Sequence, residues 1–309
     1  MNGLGHSLFA GVPPHLRVPV CDCSNRSIPV PVAAMRLLTE AKQEGEAQEA
    51  LRHAIRDLDG CDPASASRLL EVIGLIDEHP GAWRIVRNIH AHAEHAGSAV
   101  RAGGEIARWA ETFDRAAEVS PEAGVALYSL GSPALLQRAT TEVVEWMQER
   151  HLIGRNHCIL DIGCGIGRFE EALAPKVARI TALDISRQML AIASERCRAL
   201  PNVLLVLSSG LSLSMVKNHA VDLVLAVDVF PYLVLAGTDL ARLHVEEAAR
   251  VLRLRGSLLI LNFSYRGDAD ADRMDLLTAA ASAELEVIVA GIRPFKSWDG
   301  AVYLLKDAR

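Results

Sequence analysis

Along the first part of the chain, apolar residues recur every three or four positions. Leu51, Ala54, Ile55 and Leu58 follow that spacing, and so do Ile106, Trp109 and Phe113, the repeat of helices with one buried face. No alternating or short apolar run signals a strand between residues 32 and about 119, so an all-helical N-terminal region is predicted. The punctuation agrees. Asp62-Pro63 offers an N-cap and a first helical position ahead of an apolar run at 69–76, and Pro80-Gly81 stops that helix. Ser132-Pro133 repeats the start signal for a helix carrying Leu135, Leu136, Ala139, Val143 and Met147 on one side and ending near Gly154. Ahead of these helices, residues 1–31 contain Pro13, Pro14, Pro19, Pro29 and Pro31, a density that predicts a flexible arm.

The period changes at His157. Short apolar runs at 158–162, 179–184, 203–208, 221–228, 256–263, 285–290 and 301–306 predict seven strands. Helical patterns near 168–174, 187–200, 239–252 and 272–283 separate them, which is the alternation of a doubly wound α/β sheet. No fixed-period repeat is present, which argues against a solenoid or propeller. Ser120-Pro121 marks the boundary, giving an arm at 1–31, a helical region at 32–120 and a sheet domain at 121–309.

Composition narrows the function. Of the 309 residues 50% are hydrophobic and 23% charged, which excludes disordered, collagen-like and disulfide-scaffold chains. The 32 lysines and arginines stand against 38 acids for a formal charge of −6, so no global positive field recruits nucleic acid or an anionic membrane. The strongest apolar run, 223–235, is broken by Asp228 and Pro231 and is too short to span a bilayer. The first 20 residues lack a basic stretch followed by an apolar one, so no secretory signal is expected. Six cysteines without paired Cys-x-x-Cys spacing read as reduced thiols of a cytoplasmic protein, and Cys21-Asp22-Cys23 has no companion motif to complete a metal site. His90, His92 and His95 do not make one either. At about 100° per residue His90 points away from the other two, and a solvated helix face is expected there, as for Glu44, Glu46 and Glu49.

The chemistry concentrates in 159–168, Ile-Leu-Asp-Ile-Gly-Cys-Gly-Ile-Gly-Arg, an apolar strand running into alternating glycines and then a helix. Glycines at such a turn permit positive φ and let a ligand come close to the backbone, while the helix N-terminus presents free N–H groups. The spacing Gly-x-Gly-x-Gly departs from the Gly-x-Gly-x-x-Gly of dinucleotide binders.

Asp161, Gly163, Gly165 and Gly167 match, position by position, the first motif of class I S-adenosylmethionine-dependent methyltransferases, and the chain from about 125 to 307 resembles that family. The resemblance implies a Rossmann-like seven-stranded sheet with the last strand antiparallel and S-adenosylmethionine as cofactor. It implies that the 163–167 loop, Cys164 included, packs on the methionine part and ribose, and that Asp161 contacts the cofactor's amino group. Asp184, at the end of the second strand, corresponds to the acid that accepts hydrogen bonds from both ribose hydroxyls, a task suited to the two oxygens of a carboxylate. Ile185 would flank the adenine, and Ser186 reads as the N-cap of the next helix. After strand three the family places an acid or amide against the adenine amino group. This chain has Ser208-Ser209-Gly210 there, which leaves Ser209 or the backbone for that contact.

Strand four ends at Asp228, where ligands sit in open α/β sheets. By the same resemblance Asp228 faces cofactor and acceptor, orienting or deprotonating the nucleophile, and Tyr232 shapes the pocket. The plainer reading has Asp228 capping the strand and Tyr232 at a core edge. Arg255-Gly256 stands for the turn into strand five, Asn262, Ser264 and Tyr265 follow that strand, and Trp298 and Asp299 belong to the last hairpin, as cover or as packing. The expected function is in-line methyl transfer to a small-molecule acceptor, with no nucleic acid, membrane or metal involved. The helical region is expected to cap the pocket or pair two subunits as a homodimer. The competing readings are a nicotinamide-dependent oxidoreductase, a non-catalytic cofactor-binding or interaction protein of the same fold, and a nucleic-acid methyltransferase. The last lacks both an Asn-Pro-Pro-aromatic tetrapeptide and a basic stripe.

Overall fold

A computed structural model describes residues 9, 11–58, 61–94 and 102–308, without the side chains of 92–94 and 102. The helices in chain order are α1 (Arg17–Ser24), α2 (Val30–Glu40), α3 (Glu46–Leu58), α4 (Pro63–Asp77), α5 (Ala82–Glu94), α6 (Ala102–Val119), α7 (Pro121–Val125), α8 (Pro133–Glu149), α9 (Arg168–Leu173), α10 (Arg187–Arg196), α11 (Phe230–Ala236), α12 (Thr238–Val251) and α13 (Ala269–Ser282). The strands are β1 (Cys158–Ile162), β2 (Arg179–Asp184), β3 (Val203–Leu207), β4 (Val221–Val227), β5 (Leu252–Leu261), β6 (Leu285–Ile292) and β7 (Val302–Asp307). The chain divides into two units, Met1–His95 with Val119–Ala139 and Lys296–Asp299, and Ala96–Glu118 with Thr140–Phe295 and Gly300–Arg309.

The first unit is helical. In α3 the buried residues Ala47, Ala50, Leu51, Ala54 and Leu58 form one stripe, as the spacing predicts. Asp62 caps α4 by accepting the Ser65 N–H at 3.0 Å. The segment expected as an arm differs: residues 14–24 are helical, and Leu16, Val20 and Cys23 are buried in the core of this unit. Prolines are accommodated because Pro14 opens a 3-10 turn and Pro19 lies in the first turn of α1, where N–H groups have no helical acceptor. Residues 119–139 group here, although the sequence places 121–139 with the sheet, and Leu130 and Leu135 join this core.

The second unit holds a seven-stranded sheet of order β3-β2-β1-β4-β5-β7-β6, in which β1 to β5 are parallel and β7 runs antiparallel to both neighbours. β1 and β4 are apolar on both faces and almost wholly buried, as parallel strands covered by helices must be. From the centre the chain winds outward through β2 and β3 on one side and through β5 on the other. The carboxyl ends of β1 and β4 therefore flank the point where the winding changes direction, the place where open α/β sheets take ligands. The glycine loop leaves β1 there and Asp228 leaves β4. Helix α6 groups with the sheet and not with the N-terminal helices, its Ile106 lying in the sheet core. Two further differences arise locally. β5 begins at Leu252, before a register irregularity around Arg255 (φ +63°). The apolar stretch after Asp228 forms α11 because Pro231 opens a helical turn.

Candidate cofactor and acceptor site

Gly163, Gly165 and Gly167 have φ of +75°, +55° and +78°, a region that other residues enter with strain. A Cβ on Gly163 would stand 2.3 Å from Val229 Cγ2, and one on Gly167 would stand 3.1 Å from the Ala193 backbone. The loop is tied to the end of β2: the N–H groups of Gly163 and Cys164 donate to Leu183 O at 2.7 and 2.9 Å, and Gly165 N–H donates to Asp184 Oδ2 at 2.7 Å. Cys164 is buried among acids, which pushes its thiol well up and leaves it a packing residue.

Asp184 accepts the Ser186 N–H on Oδ1 at 2.8 Å and Gly165 on Oδ2, so each oxygen keeps one acceptor position, a fit for a vicinal diol. Burial raises its carboxyl, and the N–H donors oppose that. Ser186 caps α10 through the Met189 N–H at 3.0 Å and donates its hydroxyl hydrogen to Asp114 of α6, which also accepts Gln188 N–H at 3.1 Å. Ile185 lies with Ile106 against Gly210, where a Cβ would stand 2.9 Å from each of them. Ser209 is exposed, and its Oγ accepts the Leu211 N–H at 3.3 Å in a local turn.

Asp161 is 2% exposed and Glu170, in the first turn of α9, is fully buried. Asp161 Oδ2 and both carboxyl oxygens of Glu170 meet no donor group. The two buried carboxyls are close enough for each to act on the other, and with no donor group on these oxygens a single shared proton would relieve the like charge. Burial raises the Asp161 carboxyl well above the usual range, with the neighbouring Glu170 adding to it; burial also raises Glu170. Arg168 does not bridge them. Its guanidinium donates to Thr140 Oγ1 at 3.2 Å and lies over the Phe169 ring. Asp114 and Glu170 beside the glycine loop, and Trp109 beside Tyr232, are brought next to the expected site residues without having been singled out as site residues in the sequence.

At the end of β4, Asp228 takes φ +55°, and its Oδ1 accepts Asn262 Nδ2 at 2.7 Å and the Tyr265 hydroxyl at 2.8 Å. Asn262, at φ +63°, is fixed in turn by the Ala301 N–H at 2.8 Å. Two adjacent strand ends thus hold non-glycine residues in left-handed backbone, a strain of about 1–3 kcal/mol each that recurs at functional sites. The Tyr232 ring lies edge-on to that of Tyr265 with centroids 6.0 Å apart, and burial near Asp228 pushes the Tyr232 phenol up. Tyr232 packs edge-on against Trp109 and Phe113 of α6, with ring centroids 4.7 and 5.0 Å away. The Trp109 indole N–H is buried without an acceptor.

The remaining expectations fall elsewhere. Trp298 and Asp299 group with the helical unit, where Trp298 stacks on Tyr128 at 5.7 Å and Asp299 pairs with Arg36 at 2.9 Å. His95 and the side chain of His92 lie outside the described residues. All six cysteines are free, and burial raises the Cys23 thiol to about 12.

Residues 160–260 match the family described as a methyltransferase domain. Over these residues the chain is similar to methyltransferase domains. Two curated proteins named demethylmenaquinone methyltransferase, from two strains of Tropheryma whipplei, are 32% identical over 107 residues, 35% of this chain. The match spans 42% of the length of those relatives. Among solved structures, phosphoethanolamine N-methyltransferase 1 of Haemonchus contortus, in complex with phosphoethanolamine and S-adenosylhomocysteine, superposes with TM-score 0.54 at 17% identity, over 67% of this chain and 50% of that one. The N-methyltransferase NodS of Bradyrhizobium japonicum, in complex with S-adenosylhomocysteine, gives 0.50 at 16% identity, over 65% of this chain and 99% of its own. The magnesium protoporphyrin IX methyltransferase of Synechocystis, with bound S-adenosylmethionine, gives 0.50 at 15% over 69% and 100%. At these identities the likeness is one of fold, and it is the fold that the class I resemblance implies. The methyltransferase domain replaces the nicotinamide-dependent reading.

Proposed function

We propose that the protein binds S-adenosylmethionine between the glycine loop and Asp184 and transfers its methyl group to a small-molecule acceptor seated beside Asp228. The observation that carries this reading is Asp184: a buried carboxylate, oriented by two backbone N–H groups and still able to accept two hydroxyls, at the switch point of a methyltransferase domain. The sulfonium, when bound, supplies an already activated methyl. The protein's own residues then need only bind, align and exclude water. Asp161 answers the amino group, the loop glycines permit close approach, and Ile185 supplies apolar surface for a base. Ser209, its hydroxyl engaged in a turn, leaves that base to backbone groups and shape.

Asp228 is held by Asn262 and Tyr265 through one oxygen, so its carboxylate is aimed before an acceptor arrives and is suited to orient or deprotonate a nucleophile. Tyr232 and Trp109 supply an aromatic wall, and the indole N–H a donor. The net charge of −6 supports a small acceptor over a nucleic acid. Six free thiols support a reducing compartment, the cytoplasm. Among the described residues no helix is long and apolar enough to cross a membrane. Pairing of two chains through the helical unit belongs to the same proposal.

The test incubates the protein with methyl-labelled S-adenosylmethionine and a macromolecule-free metabolite fraction. Label in small molecules, lost in Asp228→Asn, supports the reading. Label in nucleic acid or protein, or cofactor binding with no transfer to any fraction, overturns it, the latter in favour of a non-catalytic module.

A further inference from the structure

The carboxyl pair beside the glycine loop does more than the proposed reaction asks of it. One acid would suffice to meet an ammonium group, yet Glu170 is fully buried beside Asp161, and the neighbouring Arg168, whose charge lowers both carboxyls, gives a hydrogen bond to Thr140. Both carboxyl oxygens of Glu170, like Asp161 Oδ2, are buried without a donor group. The charged and titratable groups around the pair are Asp184 from β2, Arg168 from α9, and the thiols of Cys164 and Cys197. Arg168 is engaged with Thr140, both thiols are raised by burial, Cys197 to about 11, and Asp184 adds a further negative charge. Within this set the raised carboxyls are the groups left to exchange a proton.

Two neighbouring carboxylates stripped of water resist double ionisation unless a cation comes into direct contact with them. A ligand ammonium placed against Asp161 is such a cation. From this geometry we infer that the Asp161–Glu170 pair is a proton-coupled receptor for the amino group of the cofactor: it holds one proton when empty and releases it to solvent when the ammonium arrives. The inference rests on the proposed S-adenosylmethionine site. Asp161 is the contact and Glu170 a positioning residue that acts through it. Cofactor affinity therefore rises with pH across the titration of the pair, by up to tenfold per unit, because binding and proton release are linked. Below that range the site discriminates against the cofactor.

Calorimetric titration of S-adenosylhomocysteine into the full-length protein decides this. Runs in phosphate and in Tris buffers below about pH 7, where an α-amino group keeps its proton, count the protons released on binding. Wild type is expected to release up to one proton per molecule bound from the pair, with affinity rising as pH rises. Glu170→Gln retains the shape and donates an amide hydrogen to an ionised Asp161, so the pair's proton release and its pH slope disappear while binding persists. Release of the same number of protons by Glu170→Gln and wild type, or none by wild type, overturns the inference. The wild-type count stands by itself if the variant does not fold. Absence of any binding by wild type sinks the methyltransferase reading as well, whereas binding without proton release removes the carboxyl pair alone.

Discussion

At Gly163 the backbone has φ +75°, and Val229 Cγ2 stands 2.3 Å from where a methyl group would be. Gly163→Ala therefore meets backbone strain and a clash at once. It is expected to lower stability by more than about 1 kcal/mol in denaturant unfolding and to weaken S-adenosylhomocysteine binding, since the loop is tied to Asp184 through Gly165. At the other strand end, Asp228→Asn keeps the size of the side chain but loses the charge that aligns or accepts a proton. Steady-state rates are expected to fall by about 100-fold or more while S-adenosylhomocysteine affinity stays within a few-fold; an equal loss of both would mean that Asp228 holds the cofactor and does no work on the acceptor.

Between elements, Asp114 links α6 to the start of α10, where Ser186 and Gln188 donate to it. Asp114→Ala leaves the Ser186 hydroxyl and one N–H of that terminus without an acceptor. The expected loss is about 1–2 kcal/mol in chemical denaturation, with weaker S-adenosylhomocysteine binding because Ser186 N–H orients Asp184. An unchanged midpoint would show that water replaces the contact. This link illustrates what the sequence could disclose. That Asp161, the glycines and Asp184 would come together was legible because their spacing is local and tied to a strand-to-helix turn. The seven strands were legible because parallel strands buried on both faces leave short apolar runs. The partner of α6 was not, since Ile106, Trp109 and Phe113 announce a buried stripe and say nothing of what buries it. Glu170 was hidden for a related reason: an acid in the first turn of a helix is ordinarily a solvated residue favoured by the helix dipole, and its burial here comes from β1 beneath it. The helix at 17–24 was masked by its prolines, which break helices everywhere except in the first turn, where Pro19 stands.

For the molecule as a whole, the buried acids set how stability follows pH. Asp161, Glu170 and Asp184 are raised in the folded state, so the folded protein binds more protons than the unfolded chain above about pH 4, and stability falls as pH rises through their folded values. Glu247, lowered by its hydrogen bond to Arg250, contributes in the opposite sense at acid pH, as does the buried side chain of His244, lowered by burial, up to its ordinary value near 6.5; Asp62 is lowered but lies at the surface. The ligand-free protein is thus expected to melt at lower temperature near pH 8 than near pH 5.5, by scanning calorimetry. Saturating S-adenosylhomocysteine should reduce that difference. A melting temperature that climbs over this interval would contradict the buried-acid assignment.

The central claim is that Asp184 and the glycine loop hold S-adenosylmethionine. Its most direct test is calorimetric titration of S-adenosylhomocysteine and NADH against wild type and Asp184→Ala, with circular dichroism to show that both are folded. The account predicts saturable binding of S-adenosylhomocysteine to wild type, weakened at least tenfold, about 1.4 kcal/mol, by the substitution, and no binding of NADH. Binding of S-adenosylhomocysteine that is indifferent to Asp184, or binding of NADH in its place, would contradict it.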